Sequence, residues 1–573
     1  MKRLLLILLL FFSIPLISQT NYPINYFASP VNVKITLAGN FGEIRPNHFH
    51  AGFDIKTNNK EGMSVYAAAD GYISRIKTSP YGYGKALYIT HPNGYTSVYG
   101  HLLSFDKNIA AYCKTIQYAK ESFEIDTLLQ PNALLVKKGD LIALSGNTGG
   151  SQGPHLHFEI RETSTEKPVN PYFFGYKVDD TIKPTIKEIA IYPLGETASI
   201  NGKQNIKKIK PVLTKGKYAI NKLDSITVNG AIGFGIECFD KETGATGPNG
   251  VFSIELQSGG KRIYYHELEK FSFENARYVN AHIDFAEKQK HNDVIQKCFL
   301  AKNDQLTIYK NIINNGVLNF TDDSVHWIKF IVKDFVGNSS ELMLKVRSTS
   351  KIKNTEKVKS TTEIIFDCLK ENQFKNEEIL ITIPAFALYD DLKFIYSKSA
   401  SPKGTYSNLI HIQNDETPLQ KAFSLSIKAI NLPDALQTKA AIISINKKGK
   451  KNYEGGSCNN SWVTTPTKVF GNFAIIVDTI APRLKLNLKD DGLKPIDLRM
   501  AKAIEIIAKD ELSGIKKYRA SIDGKWVLCE YELKKDLLFF TFDETVSSGI
   551  HTFKIEVRDD KNNLSVLQFT FKR

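Results

Sequence analysis

The sequence predicts a mainly β protein, with a small antiparallel β domain followed by three β-sandwich-like domains. Short runs that alternate apolar and polar residues recur along the 573 residues, and this period of two is typical of half-buried strands. The 37 glycines and 21 prolines supply turns between such runs. Hydrophobic residues make up 42% and charged residues 24%, which excludes a largely disordered chain, a collagen-like repeat and a polytopic membrane protein.

Residues 1–19 predict a signal peptide. Lys2 and Arg3 precede an apolar run over residues 4–17, and no cysteine follows that run directly. Because a membrane-spanning helix needs about 20 apolar residues, the run fits a removable export signal better than an anchor. We therefore expect an exported protein, periplasmic or secreted and associated with the cell envelope, with no integral membrane segment after signal removal.

The net charge of +15 is spread along the chain rather than gathered in one stripe. No aromatic base-reading motif accompanies it, so we expect no nucleic-acid partner. An anionic cell-envelope surface is the partner that this charge favours. The sequence leaves the oligomeric state open.

Residues 29–175 are dense in glycine, histidine and short alternating runs, and they predict the N-terminal domain, with an insertion near 105–133. Two echoes follow. An Asp-Thr-Ile-x-Pro motif begins at Asp180 and again at Asp478, and a strand pattern that starts with histidine closes at Asp334 and again at Asp559. This doubling predicts two related immunoglobulin-like β-sandwich modules, the first of them longer through an insertion. The predicted order behind the N-terminal domain is a module over 180–348, a linker over 349–361, a β-rich domain over 362–477 and a module over 478–573.

Six of the twelve histidines precede residue 160, and two of them lie in the run HLHFEI, residues 155–160. In a strand, His155, His157 and Glu159 share one face, while the apolar residues between them face a core. Two imidazoles on one strand face are a good start for a metal site.

A second pair, His50 and Asp54, brackets Gly52, which permits an abrupt backbone path that turns both side chains to one ion. His48 is a competing residue at the same end, to be interpreted as a supporting, cleft or surface residue. In the run YTSVYGHL, the period of two predicts that Tyr99 and His101 share a face.

Four stretches, in this order, resemble the lysostaphin/LytM-like zinc endopeptidase family: HAGFDI, VYAAADGYI, YGHL and VKKGDLIALSGNTGGSQGPHLHFEI. The resemblance covers roughly residues 40–162 and implies a zinc metalloendopeptidase domain within 29–175, with one Zn²⁺. By position, it implies the metal ligands His50, Asp54 and His157 and the catalytic residues His101 and His155. It further implies hydrolysis of peptide bonds in peptidoglycan cross-links or stems by metal-activated water and two catalytic histidines.

The sequence departs from the compact family pattern at the insertion near 105–133, which either rims the cleft or covers it. Two other functions stay open. One is a non-catalytic cell-wall-binding scaffold or amidase activator, although such relatives have usually lost some of the five residues that are all present here. The other is an enzyme that acts on glycine-rich proteins outside the cell.

Overall fold

The structure is a computed structural model that describes residues 22–220, 226–245, 247–350, 363–488 and 495–573. The predicted signal peptide and most of the predicted linker lie outside the described residues. Within those ranges, no helix is both long enough and apolar enough to cross a membrane.

The predicted fold class is confirmed: the described chain is mainly β, and several β domains follow an N-terminal β domain with an antiparallel sheet. The N-terminal domain contains β1 Leu37–Gly39, β2 Ile44–Arg45, β3 His48–Phe49, β4 Phe53–Lys56, β5 Ser64–Tyr66, β6 Gly71–Thr78, β7 Lys85–Thr90, β8 Tyr95–Phe105, α1 Lys107–Lys120, β9 Ile125–Leu128, β10 Leu135–Val136, β11 Leu141–Ser145, β12 His155–Glu162 and β13 Pro168–Val169.

Strands β1, β4, β12, β8, β7, β6 and β10 are hydrogen-bonded neighbours in this order, and every pairing among them is antiparallel. The central strand β12 places His157 opposite Asp54 on β4 and opposite Gly100 on β8. Because side chains alternate along a strand, Phe158 then enters the core beside Phe53 and Tyr99, all with no exposed surface. Because these aromatic side chains pack in the core, Asp54 and His157 are turned to the opposite face of the sheet.

Helix α1 lies in the predicted insertion. The side chain of Asp106 caps its N-terminus by accepting a hydrogen bond from the backbone N–H of Asn108. Ile109 and Cys113 are buried against the N-terminal core. The helix also meets the C-terminal end of the chain, since Lys114 Nζ lies 2.6 Å from Asp543 Oδ2 and Tyr118 packs on Trp526.

The segment after the N-terminal domain forms a twelve-stranded network that the long strand β19 connects. Its elements are β14 Thr185–Pro193, β15 Ser199–Ile200, β16 Lys207–Ile209, β17 Val212–Thr214, β18 Lys217–Ala219, β19 Ile226–Phe239, β20 Ser253–Ser258, β21 Lys261–Glu267, α2 Val279–His282, α3 Phe285–His291, β22 Ile295–Lys297, β23 Leu318–Phe320, β24 Val325–Lys333 and β25 Ser339–Ser348. Residues between β21 and β22, including Phe271 and Val279, join the core of the N-terminal domain.

Two five-stranded sheets follow, together with a small two-stranded sheet. Their strands are β26 Ile364–Phe366, β27 Asn372–Lys375, β28 Ile379–Ile383, β29 Leu392–Phe394, β30 Tyr396–Ser399, β31 Leu409–Ile412, β32 Phe423–Lys428, β33 Ala440–Ile445, β34 Lys451–Gly455, β35 Ser457–Asn459, β36 Trp462–Thr467 and β37 Gly471–Val477.

The C-terminal part pairs a four-stranded with a five-stranded sheet around one apolar core. Its strands are β38 Arg483–Leu486, β39 Ile496–Asp497, β40 Ala503–Lys509, β41 Ile515–Ile522, β42 Lys525–Trp526, β43 Glu530–Glu532, β44 Leu537–Thr541, β45 Ile550–Asp559 and β46 Leu564–Lys572. The exact domain boundaries stay a prediction.

Candidate metal and catalytic centre

His50, Asp54 and His157 converge at the centre of the N-terminal sheet. His50 Nε2 lies 3.0 Å from Asp54 Oδ1 and 3.0 Å from His157 Nδ1, and His157 Nδ1 lies 2.9 Å from Asp54 Oδ1. All three side chains are buried, with residue exposures of 3–4%. The structure thus brings together the three residues for which the sequence predicts metal ligation.

The outward nitrogens of both imidazoles have fixed acceptors. His50 Nδ1 donates to the carbonyl oxygen of Asn40 at 2.7 Å, and His157 Nε2 donates to Glu159 Oε1 at 2.7 Å. In the neutral rings these bonds set the tautomers, so that His50 Nε2 and His157 Nδ1 carry lone pairs directed at Asp54.

Three acceptor atoms that face one another at about 3 Å fit a cation between them. Ligand atoms 2.0–2.2 Å from a tetrahedral zinc lie roughly 3.3–3.6 Å apart, only slightly more than the distances here. Two imidazoles and one carboxylate are also a ligand set typical of a catalytic zinc site. The donor chemistry and spacing therefore suit zinc.

Charge around this centre favours a cation as well. Burial lowers the pKa of His157, but hydrogen bonds to Asp54 and Glu159 and their negative charges outweigh burial and raise it to about 9. Burial raises the pKa of Asp54, but the charge of His50 and the hydrogen bonds that His155, His157 and His50 donate when they are protonated hold it well below its usual range. Burial dominates at His50 and lowers its pKa.

Glu159 is a supporting residue that the sequence analysis did not select, although its place on the His157 face of β12 indicated it. It is fully buried, and its Oε2 accepts a 2.6 Å hydrogen bond from Arg161 Nε while its Oε1 accepts from the hydroxyl of Tyr83. The ring of Tyr83 also stacks on His157 at a centroid distance of 4.9 Å. These contacts fix the orientation of His157.

Arg45 supports Asp54 in a similar way, because its guanidinium donates to Asp54 Oδ2 at 2.6 Å. The carboxylate therefore has one oxygen occupied by Arg45 and the other turned to the two imidazoles.

His101 and His155 line the same face beside the three converging residues. Their ring centroids are 4.8 Å apart, and the His101 ring lies 5.8 Å from that of His157. His155 Nε2 lies 3.2 Å from Asp54 Oδ1. Each ring donates its Nδ1–H to a backbone carbonyl, of Thr148 for His101 and of Gly153 for His155, both at 2.8 Å. The Nε2 atom of each neutral ring is therefore the one that carries a lone pair.

The prediction that Tyr99 and His101 share a face is wrong, because a β-bulge interrupts the alternation. Lys85 and Leu87 on β7 pair with Leu102 and Tyr99 on β8, which leaves one extra residue on β8. His101 takes a φ of +59° there. Tyr99 consequently enters the core while His101 turns to the site. Burial, followed by the charges of His157 and His155, lowers the pKa of His101 to about 3, so this ring is neutral at physiological pH.

Two glycines permit close backbone approach at the site. A Cβ at Gly52 would lie 2.2 Å from the carbonyl oxygen of Phe158, which explains glycine between His50 and Asp54. Gly149 has a φ of +70°, and a Cβ there would lie 2.3 Å from the backbone N of Gly84. The loop before β12 is therefore fixed against the loop before β7.

His48 lies outside the converging group: it is exposed, and its Nδ1 hydrogen-bonds to the carbonyl oxygen of Pro46 at 2.9 Å. The structure therefore places it near, but not among, the five residues.

Comparison with known proteins agrees with this geometry. Residues 48–115 and 126–171 match the family model of Peptidase family M23, and they contain all five residues. The N-terminal β domain belongs to peptidase family M23. The gap between the two matched segments falls within the insertion predicted near 105–133. Residues 363–478 match the model of a Zu5-like domain.

Curated relatives are similar to part of this chain. An uncharacterized metalloprotease of Haemophilus influenzae is 35% identical over 130 residues, which cover 23% of this chain and 21% of the relative. The DD-carboxypeptidase/endopeptidase Mpg of Neisseria meningitidis serogroup B is 35% identical over 122 residues, 21% of this chain and 22% of the relative. The murein hydrolase activator NlpD of Salmonella dublin is 30% identical over 154 residues, 27% of this chain and 32% of the relative. The matched region thus spans a fifth to a third of each relative.

Later parts of the chain contact both edges of the M23 domain near the site. Lys534 Nζ donates to the carbonyl oxygens of Asn147 and Ser151, in the loop that precedes β12. At the other edge, Asn280 Nδ2 donates to Asn47 Oδ1 at 3.0 Å. Residues outside the M23 domain therefore border the approach to the histidines.

Proposed function

We propose that this chain is an exported zinc endopeptidase that hydrolyses peptide bonds in peptidoglycan cross-links or stems. The observation that carries the proposal is the convergence of His50 Nε2, Asp54 Oδ1 and His157 Nδ1, each oriented by a contact on its outer side. These three atoms hold the zinc ion in this proposal. A bound zinc ion supplies Lewis acidity and an open position for water, whose pKa it lowers.

His101 and His155 carry the proton transfers in this account. Each has its Nδ1–H bound to a backbone carbonyl, so its Nε2 is the atom available to the reaction. One ring accepts the proton of the attacking water at its Nε2. The other stabilises the negative charge that develops on the scissile carbonyl oxygen when it carries a second proton, whose Nε2–H it then donates to that oxygen. The low pKa of His101 keeps it unprotonated before the reaction. The sequence contains no H-E-x-x-H glutamate that could replace them.

The substrate class comes from the relatives. These relatives include a DD-carboxypeptidase/endopeptidase and a peptidoglycan DD-endopeptidase, which favour a peptide hydrolase that acts on peptidoglycan. Such a substrate requires export, in agreement with the predicted signal peptide.

A second candidate is a non-catalytic activator of murein hydrolases, which the match to NlpD favours. It predicts cell-wall or hydrolase binding without a need for zinc. The complete set of five residues favours the enzyme.

The test uses the mature chain, its zinc content and the products from cross-linked peptidoglycan, identified by mass spectrometry. We expect new peptide termini from the wild type, none from His50→Ala, and none from His155→Ala even when zinc is bound. His291→Ala, an exposed histidine in α3, serves as the control and should match the wild type. A zinc-loaded wild type that cuts nothing would support the activator, and cleavage of a glycine-rich protein alone would replace the substrate. Cleavage that survives full metal removal would refute the zinc mechanism.

A further inference from the structure

Each of the two related modules brings three aspartates together, two from the repeated motifs and one from elsewhere in the module. In the first copy these are Asp180, Asp240 and Asp334, and in the second copy they are Asp478, Asp510 and Asp559. Within each group, one carboxylate oxygen of every residue lies within 4.8 Å of the others. Oxygens bound to one Ca²⁺ at 2.3–2.6 Å can be up to about 5 Å apart, so either group is compact enough to share an ion.

The same hydrogen bonds orient the aspartates in both copies. Asp334 Oδ1 accepts from the backbone N–H of Asn338 at 2.8 Å, and Asp559 Oδ1 accepts from that of Asn563 at 2.8 Å. Asp180 Oδ1 likewise accepts from the backbone N–H of Ile182 at 2.9 Å. The backbone thus fixes one oxygen of Asp180, of Asp334 and of Asp559.

The first group lines a small cavity with a volume of about 20 Å³. Its polar wall includes Asn40, Asn170, Asp180, Asp240, Glu242 and Asp334. Asp240 is only 2% exposed, and its Oδ1 has no hydrogen-bond partner among the described residues. Glu242 is 3% exposed, and its Oε2 also finds no partner within the part of the chain that the structure describes.

Buried carboxylates without partners are costly, and here they also repel one another. Burial, followed by the negative charges of Asp180 and Asp334, raises the pKa of Asp240 to about 8. Glu242 gains one hydrogen bond, from the hydroxyl of Tyr172 at 2.6 Å. Burial, together with repulsion by the charges of Asp180 and Asp334, raises its pKa to about 7, and the positive charge of Lys56 offsets only part of this effect. A cation in the cavity would compensate these charges.

The second group has a buried lysine near it, although Asp478 Oδ2 there also has no hydrogen-bond partner among the described residues. Lys561 is 6% exposed, and the charges of Asp560, Asp478 and Asp559 act on its ammonium group. The first copy has Val336 at the corresponding position, two residues after Asp334 as Lys561 is two residues after Asp559. The two copies therefore differ in the charge that faces their aspartates.

We propose that Asp180, Asp240, Asp334 and Glu242 form a binding site for one Ca²⁺ ion per chain. Calcium suits the site because all of these donors are oxygens, and oxygen-only sets select hard divalent cations over zinc. Ca²⁺ tolerates the irregular, carboxylate-rich geometry that Mg²⁺ disfavours.

The site lies where the M23 domain meets the first module. Asn40, in its wall, exchanges two hydrogen bonds with the backbone of Gly250, at 2.8 and 2.9 Å. The carbonyl oxygen of the same Asn40 accepts from His50 Nδ1. Bound Ca²⁺ would therefore stabilise the junction that positions His50, but the proposal does not depend on peptidase activity.

The experiment titrates CaCl₂ into the full mature chain, stripped of metals and then reloaded with one equivalent of zinc. Calorimetry measures stoichiometry, and thermal unfolding measures stabilisation. We expect one Ca²⁺ per chain and a Tm that rises with CaCl₂ concentration, since a ligand that binds the folded state stabilises it. Asp240→Asn should lose both responses, and Asp510→Asn, its matched control in the second copy, should keep them.

Asp240→Asn removes repulsion, so its Tm without calcium should equal or exceed that of the calcium-free wild type. If it fails to fold, Asp180→Asn, which is half-buried, is tested instead and should weaken Ca²⁺ binding by more than about tenfold. The proposal is overturned by a wild type that binds no Ca²⁺, by undiminished binding in the folded Asp240→Asn or Asp180→Asn variant, by loss in Asp510→Asn alone, or by an equal response to MgCl₂.

Discussion

Replacing Glu159 with glutamine removes one negative charge behind His157 while it preserves shape. The carboxylate accepts the Nε2–H of His157 at 2.7 Å and the Nε–H of Arg161 at 2.6 Å, and it has no exposed surface. The amide oxygen can still accept from one of them, but the charge that makes His157 a stronger ligand is gone. Loss of such a supporting partner weakens metal affinity about 10–100-fold, which is about 1.4–2.7 kcal/mol.

The same variant should destabilise the fold, because Arg161 is 5% exposed and loses its buried partner. Breaking a buried ion pair costs about 3–5 kcal/mol in free energy of unfolding. Zinc affinity is measured by competition with a chromophoric chelator, and the free energy of unfolding by urea titration of the zinc-free protein. We therefore expect Glu159→Gln to lose both affinity and stability.

Glu166→Gln is the matched control, since Glu166 Oε2 lies 4.0 Å from Arg161 but its side chain is 67% exposed. It should change zinc affinity less than about twofold, because exposed pairs contribute little. Tyr83→Phe removes only the hydroxyl that donates to Glu159 and should fall between the two. Wild-type zinc affinity in a folded Glu159→Gln variant would refute the role assigned to Glu159.

Three further predictions concern the site, the core and pH. Asp54→Asn should lose bound zinc and all peptidoglycan cleavage, by metal analysis and product analysis; a variant that retains zinc would contradict the ligand assignment. Phe158→Ala should lower the free energy of unfolding by about 3–5 kcal/mol in urea, because Phe158 is fully buried in the core; a loss below about 1 kcal/mol would contradict that packing. Burial lowers the pKa of His282 to about 4 in the folded protein. As pH falls from about 6.5 to 4, the unfolded chain therefore binds a proton at His282 before the folded chain does, and the free energy of unfolding decreases over that range. The loss attributable to His282 should be about 2 kcal/mol at pH 5, and His282→Gln should show a correspondingly flatter dependence of Tm on pH between 7 and 5.

The alternation of polar and apolar residues over 155–160 was the most informative local pattern for predicting the site. It placed His155, His157 and Glu159 on one face, and the structure has them there. The pattern of one strand cannot show which strands flank it, because register depends on contacts distant in sequence. The resemblance to the family supplied the partners His50 and Asp54.

The bulge on β8 shows where period-two reasoning fails. One extra residue turned His101 away from the Tyr99 face, and Gly100 before it was the only local sign of that change. The contacts of His101 with His155 depend on that bulge.

Two side-chain clusters outside the M23 domain could not be predicted from local sequence patterns. His266 and His282 are 16 residues apart in the sequence, but their ring centroids lie 5.0 Å apart and both side chains are buried. The repeats at Asp180 and Asp334 predicted related modules, yet the approach of Asp240 to both became evident only in three dimensions. The predicted domain boundaries and metal ligands stay predictions.

The most direct test of the zinc site is an anomalous difference map, recorded across the zinc absorption edge from a crystal of the mature protein with one equivalent of zinc. The account predicts a single zinc peak enclosed by His50 Nε2, Asp54 Oδ1 and His157 Nδ1. A zinc peak elsewhere, with these three atoms still in mutual contact and no ion between them, would contradict it.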